Sequence, residues 1–332
     1  MSATTLTSTQ TPAKSQFDYL PVGLFGSVMG LTGLSIAWRL AHARYGAPIW
    51  AGDGVAVAAA AAFVLVTLGY LAKAVAAPGA VTAEFRHPIA GNLFGTFPIS
   101  LLLLPIPLAP YSLLAAQIMW SVGAIGMVVF AWLIVSRWMS DRQQVAHATP
   151  AWIIPVVGLL DVPLALPGLG LPPMHGVMVL GLAVGLFFAV PLFTLIFSRL
   201  VFEPPMPDAL QPSLLILVAP FAVGFSTYVA TTGQVDLFAQ SLYVLTLFIL
   251  AVLLNRLRSL AQCCPFRVSW WAVSFPLAAS AIAALKFADA EPGTVTDVIA
   301  LALLGIATLV IAGLLARTLV GLAQGELRTL ST

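Results

Sequence analysis

Long apolar stretches, separated by short polar or proline-rich breaks, fill the chain from about residue 20 to about residue 316. Several reach the roughly 20 residues that an α-helix needs to cross about 30 Å of hydrocarbon, and they lack the alternation of a membrane β-strand. The pattern therefore predicts an all-α polytopic membrane protein with ten transmembrane helices. The predicted spans cover roughly residues 20–41, 55–77, 90–109, 112–137, 151–170, 174–200, 211–231, 236–258, 269–287 and 294–316.

Two of these spans contain several prolines and are less regular than the others. The third includes the segment "FPISLLLLPIPLAP", and the fifth includes "IIPVVGLLDVPLALPGLG". Because proline interrupts the hydrogen-bond ladder of a helix, each segment is consistent either with a broken membrane-spanning helix or with a re-entrant segment.

The ends of the chain lie outside the apolar region and are predicted to be tails. Residues 1–17, "MSATTLTSTQTPAKSQF", are rich in Ser and Thr and lack the apolar core of a signal peptide. The predicted organisation is a flexible cytoplasmic N-terminal tail over 1–17, a ten-helix domain over 18–324 and a cytoplasmic C-terminal tail over 325–332.

Composition excludes an ordinary soluble domain. Hydrophobic residues make up 60% of the chain and charged residues 8%, against roughly 25% charged residues in soluble domains. The formal net charge of +2 gives no indication of nucleic-acid binding. The two cysteines, Cys263 and Cys264, are adjacent, and neighbouring cysteines rarely form a structural disulfide.

The distribution of basic residues predicts the orientation in the membrane. With ten spans both termini lie on one side, and Lys and Arg residues concentrate on the side that remains cytoplasmic. Three basic residues fall on the side away from the termini: Arg39, Arg44 and Lys286. Eleven fall on the side of the termini: Lys14, Lys73, Arg86, Arg137, Arg142, Arg199, Arg256, Arg258, Arg267, Arg317 and Arg328. Both termini are therefore predicted to be cytoplasmic.

Interior prolines occur mainly in the odd-numbered spans. Pro98, Pro155, Pro220 and Pro276 lie inside the third, fifth, seventh and ninth spans, and Pro21 begins the first. In the even-numbered spans, Pro191 of the sixth is the exception to this alternation.

Proline frees a carbonyl, which at membrane depth is tolerated where the backbone is buried in protein or faces a water-filled cavity. The odd-numbered helices are therefore predicted to lie inside. The predicted architecture is five helical hairpins in a quasi-five-fold ring around a central pore.

The first span also carries a stripe of small residues. Its members recur at steps of three and four: Gly23, Gly26, Gly30 and Gly33. Such spacing places them on one helix face. The stripe is either a groove for close helix packing or a smooth part of the pore wall, to which Gly26 and Gly30 would contribute.

Asp161 is the one acidic residue predicted at membrane depth. It lies about 11 residues into the fifth span, roughly 16 Å deep at 1.5 Å per residue. An ionised carboxylate facing the pore would repel anions, whereas a protonated one would couple transport to protons. The alternative is that Asp161 caps the broken backbone near Pro163 or faces a neighbouring helix.

Four segments together resemble one transporter family. They are "FDYLPVGLFGSVMGLTGLSIAWR" in the first helix, "FRHPIAGNLFGTFPIS" before and into the third, "TPAWIIPVVG" at the fifth and "WWAVSFPLA" at the ninth. The chain resembles the tellurite-resistance and C4-dicarboxylate transporter family, whose members include bacterial TehA and the plant guard-cell slow-type anion channels. The resemblance runs over nearly the whole chain from about residue 17.

The resemblance implies several properties. The protein would be a homotrimer in a bacterial inner membrane, and each protomer would have its own pore within five kinked inner helices. Phe275 of the "SFP" segment would project into that pore and close it, aimed by the kink at Pro276. The implied substrates are small inorganic or organic anions, with a proton-coupled C4-dicarboxylate carrier or a sulfite or tellurite-related exporter as alternatives.

A membrane enzyme is the rival class. The histidines are scattered at span ends and in loops, at His42, His87, His147 and His175, and neither HExxH nor CxxC occurs. Metal, haem and hydrolytic sites need several such groups to converge. The sequence therefore predicts no catalytic site, metal or cofactor, and it leaves open a non-transporting membrane scaffold.

Overall fold

The computed structural model describes residues 18–263 and 266–331, with the side chains of 256–263 left outside the description. The tail predicted for residues 1–17, and Cys264, lie outside the described residues. All statements on structure below refer to the described part of the chain.

Ten helices in the described ranges are long and apolar enough to cross a membrane, as predicted from the apolar stretches. We number them α1 to α10. They are Val22–Tyr45, Ile49–Ala76, Ala90–Leu108, Leu113–Ser140, Pro150–Gly168, His175–Phe202, Asp208–Thr232, Leu237–Asn255, Val268–Ala290 and Thr294–Ala323. The fold is that of an integral multi-pass membrane protein.

Helix α2 begins six residues before the predicted start, because a polar residue in its first turns has a partner. Asp53 accepts a hydrogen bond from Arg39 Nη2 of α1 at 2.5 Å. The negative charge of Asp53 is thereby paired near the start of α2. The ion pair joins α1 to α2.

The odd-numbered helices lie inside the molecule and the even-numbered helices outside. In an 18-residue stretch of each odd-numbered helix, 72% to 78% of the residues are buried, against 6% to 39% in the even-numbered helices. The burial inferred from the proline alternation is confirmed. Helix α1 packs against α3 and α9, and α7 packs against α5 and α9, while α3 also contacts α5.

Four interior prolines of the odd-numbered helices, Pro98, Pro155, Pro220 and Pro276, lie where the helix changes its winding. In α9 the segment Val268–Val273 is a 3₁₀-helix, and the α-helix begins at Ser274, two residues before Pro276. The same change from 3₁₀- to α-helix occurs just before Pro98, Pro155 and Pro220. A proline is tolerated in the first turn of an α-helix, because the N–H that it lacks has no intrahelical partner there.

This arrangement answers the question raised by the third and fifth spans. Helices α3 and α5 each extend over 19 residues, enough to cross the membrane, and each is assembled from short 3₁₀ and α segments. They are broken spans, and the breaks coincide with their prolines.

The start of α1 is fixed by a charged cluster on the side of the termini. Glu84, in the short helix Pro78–Arg86, accepts hydrogen bonds from Val22 N at 2.7 Å and from Lys73 Nζ at 2.6 Å. Lys73 Nζ also donates to Leu20 O at 2.6 Å. An amide group that α1 leaves free at its start, and the carbonyl of Leu20 just before it, are thus satisfied by charged side chains of neighbouring segments.

The C-terminal residues, predicted as a tail, include a short helix, Leu327–Ser331. Leu330 of this helix is buried, and Arg328 Nη2 lies 3.4 Å from Asp18 Oδ1. The two ends of the described chain therefore lie close together on one side of the molecule.

Candidate functional site

Two cavities lie one after the other within the odd-numbered helices. The termini-side cavity, of about 270 Å³, is bordered by Pro21 at the start of α1 and by Leu330 and Ser331 at the C-terminus. The far-side cavity, of about 180 Å³, is bordered by Leu40 near the end of α1 and by residues near the end of α9. Helices α1, α3, α5, α7 and α9 contribute residues to both cavities, and no residue of an even-numbered helix borders either one in the described part of the chain.

Phe275 lies in the wall that the two cavities share. Its side chain borders both, as does that of Val223 on α7. Phe275 is the second residue of the α-helical part of α9, directly before Pro276, and it is 8% exposed. The aromatic ring thus stands at the change of helix winding and between the two spaces.

Glycines of α1 provide the room for this part of α9. A methyl group added to Gly33 would lie 2.8 Å from Ala278 Cβ and 3.6 Å from Phe275 Cδ2. One added to Gly30 would overlap the side chain of Ser274. The two helices approach so closely that these glycines have no substitute of equal fit.

The glycine stripe has two different surroundings along α1. Gly23 and Gly26 border the termini-side cavity, and a methyl group on Gly26 would find its nearest neighbour 3.8 Å away. Gly30, predicted to line the pore, borders neither cavity, because Ser274 of α9 covers it. The stripe is cavity wall at its start and packing surface further along.

Hydrogen bonds hold the residues that precede Phe275. Ser274 Oγ donates to Trp271 O at 2.6 Å, and it also lies 3.3 Å from Gly26 O of α1. Trp271 Nε1 donates to Thr318 Oγ1 of α10 at 3.0 Å. The 3₁₀ segment of α9 is therefore tied to an inner and an outer neighbour, which fixes the direction in which the Phe275 side chain leaves the backbone.

The prolines have unequal positions relative to the cavities. Pro276 borders the termini-side cavity. Pro98, Pro155 and Pro220 are buried at the corresponding changes of winding, but they border neither cavity. These three prolines affect the site only through the path that they give to the backbone of the inner helices.

Asp161 borders the termini-side cavity together with Phe275. It is 2% exposed, and its Oδ1 atom has no hydrogen-bond partner in the described structure. It precedes the α-helical turn Val162–Ala165 without making a side-chain capping hydrogen bond. Asp161 thus lies at the cavity and makes no capping hydrogen bond, and its role in selectivity or proton coupling stays a prediction.

Among the cavity residues that were not identified from the sequence, three stand at positions that matter for the site. Val223 shares the dividing wall, and Ser226 and Lys286 border the far-side cavity. Lys286 was counted among the basic residues on the far side, near the end of the predicted ninth span, and it lies within α9. The signal in the sequence was its spacing from Phe275, since residues 275, 279, 282 and 286 recur at steps of three and four and share one helix face.

The walls of both cavities are largely apolar. Asp161 and Arg267 are the charged residues bordering the termini-side cavity, and Lys286 is the charged residue bordering the far-side cavity, within the ranges described. Those ranges bring no three His, Cys, Asp or Glu side chains together in a metal-binding arrangement. The arrangement is suited to the passage or binding of a small solute with few specific contacts.

Comparisons with known proteins agree with this geometry. Residues 19–319 match the family described as voltage-dependent anion channel, SLAC1. The S-type anion channel SLAH3 of Arabidopsis thaliana is 29% identical over 311 residues, which are 90% of this chain and 48% of that protein. The guard cell S-type anion channel SLAC1 of the same plant is 25% identical over 329 residues, covering 93% of this chain and 57% of the relative.

A bacterial protein is similar over most of both chains. The tellurite resistance protein TehA homolog of Haemophilus influenzae is 26% identical over 279 residues, which are 81% of each chain. The present chain spans about half the length of the first plant relatives that it matches. Because the family match covers all ten membrane helices, this chain belongs to the SLAC1/TehA family of membrane anion channels and transporters.

Proposed function

We propose that this protein conducts small anions through a pore along the axis of the inner helices, and that Phe275 is the gate of that pore. The observation that carries the proposal is the position of Phe275 in the wall between two cavities that follow one another. A side chain at such a place closes the path without a hydrogen bond or a charge. Its displacement would join the two cavities into one passage.

The pore is proposed to lie within a quasi-five-fold ring of α1, α3, α5, α7 and α9. Support comes from the contacts of α1 with α3 and α9, of α3 with α5, and of α7 with α5 and α9. In this arrangement each inner helix forms a hairpin with the outer helix that follows it. All five inner helices then contribute to the wall on both sides of the gate.

Anions are the proposed substrates because basic residues lie on both sides of Phe275. Arg267 borders the termini-side cavity, and Lys286 borders the far-side cavity. The names of the plant relatives describe them as anion channels. Since the remaining wall is mainly apolar, selectivity among small anions would be governed by size and by the cost of dehydration.

The test is anion flux into liposomes that contain the purified protein, measured for chloride, nitrate, malate and sulfite in turn at two pH values. In a variant with the gate removed, we expect the small inorganic anions to cross the membrane at a rate proportional to the anion gradient. If none of the four anions crosses even in that variant, the protein is not an anion pathway. A correctly folded protein that shows no flux of any of the four anions is the result expected for a non-transporting scaffold.

A proton-coupled carrier is the second candidate, and Asp161 is the observation that favours it. A buried carboxyl group without a hydrogen-bond partner, beside the gate, is suited to binding and releasing a proton during transport. The physiological substrate would then be a C4-dicarboxylate, or a sulfite or tellurite-related anion. Arg267 is the other charged side chain that borders the same cavity.

Replacing Asp161 with asparagine separates the two candidates. Asparagine keeps the shape of the side chain and removes its negative charge, so a channel should conduct anions faster, by about tenfold if the barrier falls by roughly 1.4 kcal/mol. In the wild type, flux should fall as rising pH removes the proton from Asp161, and the variant should lose this dependence. Accumulation of malate against its gradient, driven by a pH gradient and abolished by Asp161→Asn, would instead identify a carrier.

We further propose that both termini are cytoplasmic and that the protein lies in a bacterial inner membrane. The excess of eleven basic residues over three on the side of the termini supports this orientation. A cysteine placed at Arg142, in the exposed loop after α4, should react with a membrane-impermeant reagent only in opened cells. Reaction of intact cells at Arg142 would reverse the orientation.

A homotrimer is the proposed assembly. Its support is the large apolar surface of the even-numbered helices, where Val75, Trp132 and Leu309 are more than half exposed. Lipid and neighbouring protomers both suit such a surface. The mass of the purified protein in lipid nanodiscs should equal three chains, and a mass of one or two chains would contradict the trimer.

A further inference from the structure

The far-side cavity contains two polar groups whose surroundings point to a bound ligand. Its wall is otherwise apolar, formed by side chains of all five inner helices. The two polar side chains on this wall are those of Ser226 on α7 and Lys286 on α9. Helices α7 and α9 pack against each other.

The hydroxyl group of Ser226 is buried and has no hydrogen-bond partner in the described structure. The residue is 3% exposed and borders the cavity, and its Oγ atom is buried. Other hydroxyl groups of α7 donate to the carbonyl four residues earlier, as Thr231 does to Thr227 O at 2.8 Å and Thr232 to Tyr228 O at 2.9 Å. A buried hydroxyl group without a partner costs roughly 1–3 kcal/mol, so a partner in the cavity would remove that cost.

The ammonium group of Lys286 has no counter-ion on the cavity wall in the described part of the chain. Lys286 is half-buried and borders the cavity. The nearby carboxylate of Asp289 lies at the surface, 3.4 Å from Arg44 Nη1 of α1. No acidic residue among those described borders the far-side cavity. A positive charge in an apolar enclosure is costly unless it is paired.

We propose that the far-side cavity is a binding site for a small monovalent inorganic anion, held by Lys286 Nζ and Ser226 Oγ. One ammonium group neutralises one negative charge, and one hydroxyl group adds a single further donor. A dicarboxylate would bring two negative charges to a wall with one cation. Chloride and nitrate are anions of the chemistry that this site fits.

The site deepens the proposed function and rests on it, since the anion would stand in the cavity that the gate closes. Phe275, Ala279 and Ile282 lie on the same face of α9 as Lys286 and border the same cavity. The separation of residues 275 and 286 along the helix is about 16 Å. An anion that binds at Lys286 thus waits within the cavity that Phe275 closes, and its binding must remain weak enough for release.

The first experiment measures binding without requiring flux. The thermal unfolding temperature of the purified wild-type protein is followed as chloride or nitrate replaces gluconate at constant ionic strength. A ligand that binds the folded protein raises this temperature with its concentration. The half-saturating chloride concentration should increase by about tenfold in Lys286→Gln, the loss of one charge-assisted hydrogen bond, and by roughly threefold in Ser226→Ala.

Two variants serve as controls. Lys286→Arg keeps the charge and should retain binding within about threefold. Ser280→Ala removes a hydroxyl group from α9 that donates to Pro276 O at 2.7 Å and borders neither cavity, so it should leave chloride binding unchanged. If Lys286→Gln folds poorly, the comparison of Ser226→Ala with Ser280→Ala still tests the site.

The second experiment measures chloride flux as a function of concentration in the Phe275→Ala background. Adding Lys286→Gln should raise the half-saturating concentration by about tenfold. Unchanged half-saturation in Lys286→Gln and Ser226→Ala, with flux intact, would overturn the anion site and leave the proposed pore standing. Anion-dependent stabilisation that Lys286→Gln abolishes, in a protein without flux, would support the site and overturn the pore.

Discussion

Replacing Phe275 with alanine should raise the anion flux by at least about tenfold, which corresponds to a barrier lowered by roughly 1.4 kcal/mol. The ring borders both cavities, so its removal joins a space of about 270 Å³ to one of about 180 Å³. The wall around the ring is formed largely by apolar side chains, and the ring takes part in no hydrogen bond. Truncation therefore leaves no polar group without a partner.

The size of the side chain at position 275 should determine how much the anion flux increases. Phe275→Leu keeps a smaller apolar side chain and should open the pore partly, because an apolar constriction restricts flux by size and by dewetting. Selectivity among small anions should change less than the rate. Val223→Ala, which shortens the other side chain of the shared wall, should raise the flux by a smaller amount than Phe275→Ala.

Phe225 provides a matched control for the loss of an aromatic ring. It lies on α7, is fully buried, and packs at ring-centroid distances of 5.8 Å from Tyr243 and 6.2 Å from Phe287. It borders neither cavity, so Phe225→Ala should cost about 3–5 kcal/mol of stability without increasing flux. A Phe275→Ala protein that is equally destabilised, with flux unchanged or lower, would refute the gate.

Replacing Gly30 with alanine should destabilise the protein by about 3 kcal/mol or more, at or above the upper end of the cost of overpacking. The added methyl group would overlap Oγ and Cβ of Ser274. Neither helix can yield freely, because Ser274 and Trp271 tie α9 to α1 and α10. The thermal unfolding temperature should fall accordingly, and the flux should change through displacement of Phe275, the residue after Ser274.

Gly26→Ala is the matched control, one turn earlier on the same helix. Its methyl group would find the nearest atom 3.8 Å away, at Trp271 O, and would extend into the wall of the termini-side cavity. Alanine favours a helix by about 1 kcal/mol relative to glycine, so this variant should be at least as stable as the wild type. Equal destabilisation by Gly26→Ala and Gly30→Ala would show that the close contact at Ser274 does not govern the effect.

Much of the fold follows from the amino-acid sequence. The ten spans are determined by the length of the apolar stretches, because a helix needs a fixed number of residues to cross the hydrocarbon. The inside position of the odd-numbered helices follows from their prolines, because a backbone with missing hydrogen bonds is not stable against lipid. Phe275 was identified by resemblance to a family, and its role as a gate remains a prediction.

The tertiary structure decided which residues share a cavity. Val223 and Ser226 have no distinctive sequence signal, and they share a cavity with Phe275 because α7 and α9, far apart in the chain, pack side by side. It also decided that Gly30 packs against α9 whereas Gly26 borders a cavity, since the space beside a glycine depends on the neighbouring helix. The sequence determines local winding, burial and membrane crossing through each residue's own chemistry, whereas the walls of a cavity depend on distances between helices that no single segment encodes.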